Sequence, residues 1–141
     1  MAGIQSFFHR IILNKRYPYW ELTLSFGDCP FLFSLSLEFG WAFETFLMHE
    51  LAAFRDYRSP ALLSFWRSTS GLEVDFIIDD HTAIEAKAKS VITSDDLRSL
   101  EAIAQEYRFK RLICVCLEKR PRKAGKIEVV PYRDFLEEMW A

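Results

Sequence analysis

The chain has little of what marks several familiar classes of protein. Its 141 residues include three cysteines, Cys29, Cys114 and Cys116, an odd number and too few for a disulfide scaffold. Cys114 and Cys116 lie one residue apart in an apolar run, and all three read as reduced core residues. A structural zinc site is not expected, because His9, His49 and His81 stand at no ligand-like spacing from the cysteines or from each other. No apolar run approaches the ~20 residues needed to span a bilayer. His9 and Arg10 interrupt the first apolar stretch and no small-residue cleavage site follows, so a secretory leader is not expected and the cytoplasm is the expected location. Excess charge of one sign is also lacking. Eighteen basic and twenty acidic residues leave a formal net charge of −2, so any contact with nucleic acid would have to use a local patch. No repeat or low-complexity stretch occurs.

The chain is rich in core-forming residues. Half of them are hydrophobic and 16% aromatic, with thirteen Phe and four Trp. That composition suits one domain with a sizeable packed interior. Residues 1–39 form an N-terminal segment of weak pattern, except that Phe31, Phe33, Leu35, Leu37 and Phe39 alternate with Ser34, Ser36 and Glu38 as in a half-buried strand. Residues 40–141 form the readable domain.

From Trp41 to Asp56, Phe43, Leu47, Leu51 and Phe54 share one helical face, with Glu44 and Glu50 at its margins. Strands are expected over Leu62–Arg67, Glu73–Ile78 and Thr82–Ala88. Ser94 is the expected N-cap of a helix that carries Leu97, Leu100, Ile103, Ala104 and Tyr107 inward. The wholly apolar Leu112–Leu117 reads as a strand buried on both faces. A basic loop over Lys119–Lys126, a strand over Ile127–Val130 and a helix over Tyr132–Trp140 complete an α/β sandwich with a mixed sheet.

Strand alternation points to a site. Val74, Phe76 and Ile78 fall on one face of their strand and Glu73, Asp75 and Ile77 on the other. In the next strand Ile84 and Ala86 oppose Glu85 and Lys87. The register that keeps Glu85 and Lys87 off the apolar face sets Phe76 opposite Ile84 and Val74 opposite Ala86. It also sets Asp75 opposite Glu85 and Glu73 opposite Lys87, with all four on the face away from the core. Opposed carboxylates repel, whereas a divalent cation between them reverses that effect. Magnesium suits such a pair because it takes few protein ligands and keeps several waters. Lys87 could then orient a water or stabilise charge developing on a phosphate. The alternative is a solvated hairpin face with a weak Glu73–Lys87 ion pair.

These residues carry a resemblance. Gly40-Trp41-Ala42-Phe43-Glu44-Thr45-Phe46, Glu50-Leu51, Phe65-Trp66-Arg67-Ser68, Gly71-Leu72-Glu73-Val74-Asp75-Phe76-Ile77, Ile84-Glu85-Ala86-Lys87-Ala88, Val129-Val130-Pro131 and Phe135-Leu136 occur in an order that resembles PD-(D/E)XK-like domains. The domains in question lie at the C-terminus of bacterial and archaeal AAA-type ATPases. The resemblance covers about two thirds of the chain. It implies a restriction-endonuclease-like α-β-β-β-α-β core with a mixed central sheet flanked by helices. It also implies a magnesium-dependent nuclease, manganese being a substitute, that hydrolyses DNA phosphodiester bonds. Asp75 and Glu85 would be metal ligands, Lys87 the catalytic lysine and Glu44 an auxiliary acid. Val74 stands where the motif's name has proline. No Gly-x-x-x-x-Gly-Lys-Ser/Thr segment is present, so ATP hydrolysis is not expected.

Arg67 and the basic-loop residues Lys119, Arg120, Arg122 and Lys123 are candidates for contact with DNA phosphates, the alternative being solvated turns. Trp41, Trp66 and Trp140 could stack bases or serve the core. His81 reads as an exposed turn residue. The rival to the nuclease is a catalytically silent binding or assembly module, self-associating or holding a protein partner.

Overall fold

The computed structural model describes residues 37–141. The elements in chain order are α1 (Leu37–Tyr57), β1 (Leu63–Arg67), β2 (Glu73–Ile78), β3 (Thr82–Lys87), α2 (Arg98–Glu106), β4 (Arg111–Cys116), β5 (Arg122–Ala124), β6 (Ile127–Pro131) and α3 (Tyr132–Trp140). The six strands make one sheet in the order β1-β2-β3-β4-β6-β5. The β1–β2 and β2–β3 pairs are antiparallel, β3–β4 and β4–β6 are parallel, and β5–β6 is antiparallel. Among the described residues the fold is therefore α/β with a six-stranded sheet; its α/β class and mixed strand directions are those the element pattern predicts.

Each face of the sheet is covered. Phe43, Leu47 and Leu51 of α1 and Phe135 of α3 pack with Phe76, Ile84, Ala86, Ile113, Val115 and Val130. Leu100 and Ile103 of α2 pack on the other side with Val74, Ile77, Ala83, Leu112, Cys114, Cys116 and Val129. β4 sits between β3 and β6 and is buried from Leu112 to Cys116, the doubly covered position expected of an unbroken apolar strand. Cys114 and Cys116 are buried and form no disulfide among the described residues, and burial pushes the Cys114 thiol up to about 12. Cys29 lies outside the described residues.

Several expectations need correcting. Residues 31–36 of the expected strand lie outside the described residues, and Leu37–Phe39 are helical. Once Trp41 onward is helical, each residue added at the N-terminal end gains a backbone hydrogen bond without a new nucleation cost, which outweighs a short alternating pattern. Ser94 makes no side-chain cap. Instead Asp96 reaches back, its Oδ2 accepting from the Thr93 backbone N at 2.9 Å and from Thr93 Oγ1 at 2.8 Å. A 3-10 turn over Asp95–Leu97 then opens into α2, so the start signal is Thr-x-x-Asp one residue earlier. Ala104 is exposed, and Ala102 packs in its place. The basic loop is partly strand: Ala124 pairs with Ile127 across Gly125 and Lys126, and the φ of 60° at Gly125 suits that two-residue turn.

Candidate functional site

The β2–β3 hairpin turns at Asp79 and Asp80, which both take left-handed φ values of 50° and 55°. Short polar side chains tolerate that conformation best after glycine. The ladder above it pairs Ile78 with Thr82, Ile77 with Ala83 and Phe76 with Ile84, so the expected Phe76–Ile84 register holds. Beyond Phe76 the two strands separate. Ala86 gives its backbone N–H not to a β2 carbonyl but to Asp75 Oδ2, at 2.8 Å.

The cause lies on the other edge of β2. Ser64 pairs with Ile77 and Trp66 with Val74, so Asp75 and Phe76 together face the single residue Phe65. This is a β-bulge, a device that re-aims side chains and is over-represented beside active sites. It breaks the alternation on which the sequence reading relied. Val74 packs with Ile77 on the α2 side, whereas Phe76 packs with Ile84 and Ala86 under α1. The expected Val74–Ala86, Asp75–Glu85 and Glu73–Lys87 pairs are therefore not ladder pairs. A bulge extends the spacing by one residue on one strand only, which period-two counting does not detect.

The four expected residues do converge electrostatically, but not on a solvated face. Glu85 is 3% exposed, because helices cover both sides of the sheet. Its Oε1 lies 2.5 Å from Lys87 Nζ, while its Oε2 is buried and has no hydrogen-bond partner among the described residues. Burial, then the charge of Asp75, pushes the Glu85 carboxyl up to about 8, against the pull of Lys87. Burial also raises Asp75 to about 6, opposed first by the Ala86 N–H and then by Lys87. Half-buried Glu44, from α1, is raised to about 7 by burial and then by Asp75. Burial disfavours the Lys87 ammonium, but Glu85, Asp75 and Glu44 outweigh it and hold the lysine above its ordinary value. Three carboxyl groups thus share one excess of negative charge and one lysine, and neutralising it takes either protons or a cation.

Among the described residues, no group of three or more His, Cys, Asp or Glu side chains is arranged to hold a metal ion. A cation here would rest on Asp75 and Glu85, with water completing its shell, which suits magnesium. The unpartnered Glu85 Oε2 fits that role, since an orphaned buried carboxylate oxygen is otherwise costly.

The other candidates divide. Arg67, exposed at the end of β1, is ion-paired with Glu73, and Glu73 in turn raises Glu44 and Asp75. That pairing replaces the Glu73–Lys87 contact considered from sequence. Arg122 is held by Glu118 through two contacts of 2.9 Å. Lys119, Arg120 and Lys123 are exposed. Trp66 is core at 2% exposure. Trp140 donates from Nε1 to Glu50 Oε2 at 3.0 Å, giving Glu50 a structural role. Trp41 is half exposed, and His81 is an exposed turn residue.

Sequence reasoning did not find the Glu118–Arg122 pair as a clamp. Glu118 Oε1 accepts from the Ile92 backbone N at 2.8 Å and Arg122 Nη2 donates to the Ile92 carbonyl at 2.9 Å. Together they pin the segment that follows β3. The i,i+4 spacing signals the ion pair but not its backbone target. No helix is long and apolar enough to cross a membrane among the described residues.

Residues 39–135 match the model of a family described as a domain of unknown function (DUF4143), typically found in AAA-ATPase-associated proteins. No curated protein and no solved structure matches the chain.

Proposed function

The chain belongs to the DUF4143 family, and from that premise we propose that it is a magnesium-dependent nuclease of restriction-endonuclease-like core, hydrolysing DNA phosphodiester bonds. The observation that carries the reading is the buried Glu85, with one oxygen on Lys87 and the other without a partner among the described residues, beside the bulge-directed Asp75. Asp75 and Glu85 would hold the cation. When bound, it supplies positive charge that draws in and polarises the scissile phosphate. Lys87 places an ammonium where negative charge develops. Glu44, poised near neutrality, suits proton uptake from an attacking water.

The test is cleavage of plasmid and linear DNA with magnesium or manganese by wild type, Asp75→Ala and Lys87→Ala. Cleavage by wild type alone supports the reading, and equal cleavage by all three rejects it. A second reading, a silent assembly module, draws on the 2.5 Å Lys87–Glu85 contact, which in such a module is simply a buried ion pair. It predicts wild-type folding, no cleavage and no cation affinity.

A further inference from the structure

β3 and β4 run parallel and end level, Lys87 beside Cys116. Beyond those ends the chain leaves an open groove of about 550 Å³, lined in part by Ser90, Lys119, Arg120, Pro121 and Arg122. Clefts past the carboxyl ends of parallel strands are the usual ligand positions in open α/β sheets. The groove wall is fixed rather than loose, because Leu117 N donates to the Lys89 carbonyl at 2.9 Å and the Glu118–Arg122 clamp holds Ile92.

Its charge is unbalanced. Glu118 is matched by Arg122, while Lys119 and Arg120 are exposed and enter no ion pair among the described residues. Two surplus cations along an open groove attract an anion of repeated phosphate character more strongly than they do any neutral ligand. The groove also lies at the carboxylate end of the sheet. Ser90 follows Lys87 by three residues, a reach of at most about 11 Å, or about three nucleotide steps along one DNA strand.

We infer that this groove is a phosphate-binding track for the DNA strand flanking the scissile bond, with Lys119 and Arg120 as its contacts. The inference rests on the nuclease reading for its ligand, though not on turnover. The experiment is fluorescence anisotropy of a labelled DNA duplex with the whole chain in EDTA, at 50 to 200 mM salt. It compares wild type, Lys119→Ala/Arg120→Ala and, as a charge-matched control, Arg108→Ala/Lys110→Ala, whose exposed residues precede β4 at the opposite end of the sheet.

The groove variant should bind roughly tenfold or more weakly at 100 mM salt. Its dependence of log affinity on log salt should be shallower by about 1.8, for two lost phosphate contacts. The control should match wild type. Equal affinity of the groove variant and wild type, equal losses in both double variants, or no binding by wild type would each overturn the track. A chain that binds through the groove but leaves DNA intact with magnesium keeps the track and rejects the hydrolase. Cleavage that is indifferent to the groove variant in both binding and rate does the reverse.

Discussion

Asp75 Oδ2 accepts the backbone N–H of Ala86 at 2.8 Å, in the position where an uninterrupted antiparallel ladder would place a carbonyl of β2. The side chain thus closes the hairpin just where the bulge has opened it. This one contact ties the fold to the site. The carboxylate that would bind a cation also satisfies a strand amide, so Asp75 cannot rotate away without leaving the N–H of buried Ala86 unpaired.

Asp75→Ala should therefore cost stability as well as activity, by roughly 1–3 kcal/mol for an unsatisfied buried donor. Asp75→Asn retains an oxygen acceptor for Ala86 and should lose less stability while losing activity to the same extent. Urea denaturation of the two variants, set beside their cleavage rates, checks this. Equal stability loss in both would remove the structural role.

The raised carboxyls fix the sign of a pH effect. In the unfolded chain Glu85 titrates at its ordinary value of 4.5, and in the folded protein at about 8. Between those values the folded state binds the extra proton, so stability falls as pH rises. Glu44 and Asp75, raised to about 7 and about 6, act in the same direction. Without divalent ions, the urea midpoint should be higher at pH 5.5 than at pH 8.5. Glu85→Gln should flatten the decline, and a variant with the wild-type slope would show that Glu85 does not carry the proton.

How much of this was legible in sequence depended on whether a pattern was local. The Phe76–Ile84 register followed from keeping Glu85 and Lys87 off the apolar face. The extent of α3 followed from Pro131 and the helical spacing after it, and the buried β4 from its unbroken apolar run. Two features depended on partners far along the chain. The bulge needs β1 to disclose it, because Phe65 faces two residues of β2. The burial of Glu85 needs α2 to cover a face that alternation alone reads as wet. Asp75, Glu85, Lys87 and Glu44 do interact electrostatically, but in surroundings that alternation does not disclose. Alternation implies water where the protein supplies low-dielectric surroundings, and that burial is what raises the proton affinity of the carboxyls.

A cation that replaces the proton should stabilise the fold most where the proton is weakest. At pH 8.5, magnesium at tenfold its dissociation constant should add about 1.4 kcal/mol, read as a rise in Tm that EDTA reverses. The rise should shrink at pH 5.5, where protons occupy the carboxyls, and should vanish in Asp75→Asn/Glu85→Gln. An undiminished rise in that variant would place the ion elsewhere.

The last expectation concerns Ile92, both of whose backbone groups are bound by one ion pair. A salt bridge of this exposure adds little to global stability, so removing it should act locally. Glu118→Ala takes away the acceptor for the Ile92 N–H and frees Arg122 at the same time. Hydrogen exchange at the Ile92 amide should then accelerate by an order of magnitude or more, while amides of β4 keep their wild-type rates. Arg122→Lys keeps the charge but has no planar fork to bridge carboxylate and carbonyl together, so it should behave like the loss of the clamp. If Arg122→Lys instead preserved the Ile92 protection, charge alone would hold the segment and the two-point geometry would be incidental.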